Sequence, residues 1–258
     1  MDERPEGQNA VPQPELFIEG KPYRSDTFPL VMTSDGLPII DKSDEKPLAE
    51  LLRIHAVMGA DNSGNGFWPF KLLCHILERK RILVELIKAY TVEDAERRLN
   101  IIRPVDFPLQ DSNSQIYLRT FALLTLLEKV GDIGKFIKED VSDQKLPVRK
   151  ILRNGKVFLS HNDSPDSLSC FDEWKDHERE AFEAKQWQFL VPYFDLDTSD
   201  MAKHQNLESK TILPWCKTDD HLHSSSQPSG QQGGFGFVSR VKIDPSSHGF
   251  RNVLEKVS

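Results

Sequence analysis

What this chain has little of narrows the field first. Only three cysteines occur in 258 residues, Cys74, Cys170 and Cys216, far apart and with no CxxC pair. Neither a disulfide framework nor a zinc module is indicated, and reduced thiols are expected. No run approaches the roughly 18 uninterrupted apolar residues of a membrane span. The acidic, polar opening MDERPEGQNA differs from the basic and then apolar start of a secretory signal. An intracellular protein, cytoplasmic or nuclear, with no membrane association is therefore expected. A Walker phosphate loop and a GxSxG nucleophile elbow are also missing.

Positive charge is scarce at one end. The net charge is −7, and residues 1–45 hold ten acids against four bases, a net of −6. An acidic arm on a nearly neutral body is a poor match for a phosphate backbone, so no nucleic-acid partner is expected.

What is present reads mainly as helix. Residues 1–45 form an acidic arm, rich in Pro, Glu and Gln at its start, with short apolar clusters LFI and PLVM that suggest extended segments lying on another surface. From Pro47, the residues Leu48, Leu51, Leu52, His55 and Met58 follow three- and four-residue spacing, predicting a helix ended by Gly59. A helical stretch is expected over 69–90, and Thr91 with Asp94 predicts a capped helix to about Ile102. Residues 114–130, containing FALLTLLEKV, are apolar on most faces and should lie at the centre of a bundle. DIGKFIKED predicts a short helix, KVFLS a strand, and the segment from Asp172 to Pro192 a charged helix docked by Trp174, Phe182 and Trp187. The organisation expected is an arm over 1–45, a helical accessory domain over 46–195, a polar linker over 196–232 and a short β segment over 233–258.

That last segment contains GGFGFVSRVKI, which fits parts of two motifs. Gly234, Phe235, Gly236, Phe237 and Val238 match the middle of an RNA-recognition strand, but Gly233 replaces its basic residue and Arg240 its last ring. The upstream sequence offers no second aromatic strand motif, so the RNA reading is disfavoured. In a kinase-type nucleotide loop, G-x-G-x-x-G-x-V, the residues Gly233, Gly236 and Val238 take the second glycine, the third glycine and the valine. Gln231 stands at the first glycine, with Gly230 one residue out of register. A plain hairpin turn whose Phe235 and Phe237 pack is the alternative.

Four blocks in order, FIKEDVSDQKLPVRK, CFDEWKDHEREAFEAKQWQFLVPYF, ESKTILPW and GGFGFVSRVKIDPSSHGF, give the chain a wider likeness. Over about residues 45–250 it resembles a filamentous-fungal family in which a helical N-terminal region precedes a serine/threonine protein kinase domain. The resemblance implies a mainly α fold that runs into the first strands of a kinase N-lobe. It implies an ATP-binding loop of Gly233, Gly234, Gly236 and Val238, a returning strand and its turn in SRVKIDPSSHGF, and a phosphate-pairing lysine at Lys256.

The chain departs from that family where chemistry is concerned. It contains no HRD-type catalytic loop and no DFG triplet. His161-Asn162-Asp163 echoes the former but precedes the glycine loop, with Leu168 at the metal-binding position. The linker residues CKTDDHLHSSSQPSGQQ are also long for the family's approach to the loop. A truncated, catalytically incompetent kinase lobe joined to a regulatory or protein-interaction region is therefore expected, with no catalytic residue assigned. The competing expectation is a stand-alone helical interaction module that binds no nucleotide. Asp219, Asp220, His221 and His223 are read as linker and not as a metal site, His55 and His75 as packing or capping residues, and Arg79, Lys80 and Arg81 as a solvated helix face.

Overall fold

A computed structural model describes residues 33, 37–40, 46–60, 66–105, 115–162, 164–194, 206–216 and 241–249, together with the backbone of 231–233 and 236–238. Among these residues, seven α-helices surround one core and four two-stranded antiparallel sheets lie around them.

Helix α1, Leu48–Ile54, starts directly after Pro47, whose ring suits a helical entry, and buries Leu48, Leu51 and Leu52. It ends at His55, earlier than the spacing predicts. Val57–Met58 instead forms strand β1, antiparallel to β2, Gly66–Phe67. A side chain at position 66 would place its Cβ 2.7 Å from that of Ala56, so this approach of the two strands requires glycine.

The helical stretch expected over 69–90 is two helices, α2 at Phe70–Ile76 and α3 at Arg79–Leu86. The break is held from a distance. Arg103 donates to the carbonyls of Cys74, at 2.8 Å, and Leu77, taking up acceptors at the end of α2. Arg79 donates to the Arg103 carbonyl and, at 2.6 Å, to Asn100 Oδ1. Arg81 donates to the Ile76 carbonyl at 3.2 Å. Two of the three residues read as a solvated basic face are thus helix-terminus fasteners.

Helix α4, Val92–Ile102, opens as the spacing predicts, with Thr91 Oγ1 accepting from the Asp94 amide at 3.3 Å. Helix α5, Leu118–Leu126, is the central one and is buried at nearly every position. Its two threonines are accommodated locally: Thr120 Oγ1 donates to the Val141 carbonyl at 3.0 Å and Thr125 Oγ1 to the Phe121 carbonyl at 2.8 Å. Its first turn is capped by Asp143, whose carboxylate accepts from the amides of Arg119 and Thr120 at 2.9 and 3.0 Å.

Helix α6, Ile133–Lys138, and helix α7, Asp176–Lys185, complete the bundle. Phe136, Phe171, Trp174 and Phe182 meet between them with ring centroids 4.9–6.0 Å apart, which docks the charged helix on the core. Trp174 Nε1 donates to Asp132 Oδ2 at 2.9 Å. KVFLS forms strand β4, Lys156–Ser160, and its partner is β3, Arg149–Arg153, a strand the sequence reading did not assign. Asn154 and Gly155 make the turn with φ of 51° and 74°, the left-handed pair that a tight hairpin demands.

Candidate functional site

The remaining strands carry the residues of interest. Strand β5, Trp215–Cys216, begins on the last residue of TILPW and pairs antiparallel with β8, Lys242–Ile243. Between them, β6, Gln231–Gly233, and β7, Gly236–Val238, pair with Gly233 opposite Gly236. The order along the chain is strand, glycine-rich hairpin, returning strand.

Backbone bonds tie the outer pair to the helical region. Ala60 N donates to Trp215 O at 2.7 Å, and Asp244 N to Pro214 O at 2.9 Å. Phe194 N donates to Ser247 O at 2.8 Å, and Gly249 N returns to Phe194 O at 2.9 Å. The Phe194 and Trp215 rings stack at 5.7 Å. The turn Pro245–Ser247, which lies against α2, is organised by buried Asp244. Its Oδ1 accepts from Ser246 N at 2.9 Å, Ser246 Oγ at 2.5 Å and Ser247 Oγ at 3.2 Å. A polar acid in the core is tolerable because its hydrogen bonds are met there.

Of the residues expected to contact ATP, Gly233 and Gly236 face each other across the hairpin and Val238 ends β7 opposite Gln231. Gly234 and Lys256 lie outside the described residues, as do Asp163 and the stretch containing Asp219, Asp220, His221 and His223. A cavity of about 360 Å³ opens beside β5, lined by Gly59, Ala60, Trp215 and residues 209–213. Lys210, the one charged residue in that lining, pairs with Glu183 at 2.5 Å.

Among the described residues, the buried titratable groups are shifted as follows. Burial pushes the thiols of Cys74 and Cys216 up to about 11 and about 12, and Cys170 higher still, so none is a ready thiolate. Burial also raises Asp143 to about 6, against the opposing pull of the Arg119 charge and the two amides it caps. Burial and the neighbouring Asp140 lift Tyr117 to about 12. Burial would raise Glu139 too, but hydrogen bonds from Ser169 and Cys170 outweigh it and bring the carboxyl below its ordinary value.

His75 Nε2 lies 2.6 Å from the Pro38 carbonyl and helps hold residues 37–40 against the core. Leu168, at the position a metal-binding asparagine would take, is buried and donates its amide to Leu159 O at 2.8 Å. Among the described residues, no group of three or more His, Cys, Asp or Glu side chains is arranged to hold a metal, and no helix is long and apolar enough to cross a membrane. The turn in DPSS was expected from the sequence, but the burial of Asp244 and its hold on Ser246 and Ser247 were not. Neither a protein-family profile, nor a curated protein, nor a solved structure matches the chain.

Proposed function

We propose that this chain is the N-terminal regulatory or interaction region of a protein-kinase-like protein. In this reading the parent activity is ATP-dependent transfer of phosphate to serine or threonine, and residues 233–258 correspond to the first strands of the nucleotide-binding lobe. The observation that carries the reading is the pairing of Trp215–Cys216 with Lys242–Ile243 around the glycine-rich hairpin. This is the strand, loop and returning-strand order from which a kinase phosphate lid is made, with glycines where backbone must approach phosphate. The helical region, bonded to β5 through Ala60 and to the turn after β8 through Phe194, is the part to which this reading assigns a protein partner.

With no catalytic-loop aspartate and no DFG aspartate, the chain has nothing to orient a hydroxyl or hold magnesium on the phosphates. Incubation with γ-labelled ATP, magnesium and a generic serine/threonine substrate should label neither substrate nor chain. Label on either contradicts the non-catalytic part of the proposal.

A second reading is a helical interaction module without any nucleotide role. What favours it is the cavity beside β5, whose single charged residue, Lys210, is already engaged by Glu183. ATP binding separates the two readings.

A further inference from the structure

Residues 145–156, KLPVRKILRNGK, hold five bases and no acid in a chain of net charge −7. Four of those bases, Arg149, Lys150, Arg153 and Lys156, stand exposed on the β3–β4 hairpin. Strand β3 pairs with β4 alone, and among the described residues its backbone groups bond to no other element. Among the described residues it is an open edge five residues long, and at its fourth position Leu152 is 66% exposed. An edge of this kind is a template for another strand.

From this juxtaposition we infer that β3 is a docking edge for an extended acidic peptide of a partner protein, added to the hairpin as a third strand. Backbone pairing along β3 supplies the register, Leu152 an apolar contact, and the surrounding cations select glutamate or aspartate at alternate positions. Arg153 and Lys156 are directly opposite each other across the hairpin; Arg153 donates to the Pro165 carbonyl, a neutral acceptor that leaves a like-charged pair for an incoming carboxylate to relieve. Arg149 and Lys150 pair with Glu208 and Glu180, but at exposed positions where such pairs contribute little and exchange readily. Nucleic acid is the less suitable occupant, because those glutamates and the net charge oppose a phosphate backbone and an open strand edge offers it nothing. The surface is separate from the glycine hairpin, so the inference does not depend on the nucleotide reading.

The test is fluorescence anisotropy with the full chain and a labelled peptide of about nine residues, alternating glutamate with valine. Saturable binding is expected, weakened at least 10-fold by Arg153→Glu together with Lys156→Glu. Lys156→Glu alone should weaken it about 3-fold while turning the like-charged pair into an attractive one, which keeps the hairpin folded. A version of the peptide with alternate backbone nitrogens methylated should not bind. Three results overturn the inference: no binding at millimolar peptide, which leaves the bases as guards against edge pairing; equal binding of the methylated peptide; or preference for a 20-base-pair DNA duplex.

Discussion

Asp143 and Gln186 show how single buried side chains hold this molecule together at long range. Asp143 caps α5 from the segment after α6, and its carboxyl rises from 3.8 to about 6 because burial disfavours the charge. The folded state therefore binds a proton more readily than the unfolded chain does. Stability contributed by protonated Asp143 is fully present below about pH 4 and lost as pH rises through about 6, a swing of about 3 kcal/mol. In urea unfolding at a series of pH values, this falling component should be present in the native chain and absent in Asp143→Asn. Gln186 is fully buried and serves both backbone groups of Val148, accepting from its amide and donating to its carbonyl at 2.8 Å each. Gln186→Leu strands both groups, and urea unfolding should show a loss of about 2–4 kcal/mol.

At the scale of the element, the β3–β4 hairpin rests on its turn. Gly155 has φ of 74° and no atom within 4 Å of where a Cβ would sit, so the cost of a side chain there is purely conformational. Gly155→Ala should lower stability by about 1 kcal/mol, measured by thermal or urea unfolding, without altering the core. This hairpin was legible in principle, since Asn-Gly between strand-like runs is a strong local signal, but Arg149 and Lys150 made the first run look polar. The cap at Thr91, the helix start after Pro47 and the central place of α5 were legible because each depends on neighbours within a few residues. The division between α2 and α3 was not, because Arg103, which occupies the carbonyls of Cys74 and Leu77, lies 26–29 residues away. The early end of α1 likewise depends on Gly66 across the β1–β2 pair.

For the whole molecule, the β5–β8 pair joins the C-terminal strands to the helical region, and Asp244 is the residue on which that junction turns. Asp244→Ala leaves the buried hydroxyls of Ser246 and Ser247 without their acceptor and removes a negative charge that helps hold the Cys216 thiol near 12, after burial. Cys216 should then react with a thiol reagent at least 10-fold faster, with Cys74 and Cys170 as protected as before. In the glycine stretch, Gly233 and Gly236 belong to two paired strands, as the hairpin alternative has it. Strand β5 and its pairing with the expected returning strand were not legible, because the register that sets Trp215 opposite Ile243 depends on packing against Ala60 and Phe194. The most direct measurement of the central claim is equilibrium titration of the full chain with ATP and magnesium. Weak, saturable binding in the millimolar range that Gly236→Val abolishes is expected; absence of binding at 10 mM ATP, or binding indifferent to Gly236→Val, rules out a nucleotide loop here.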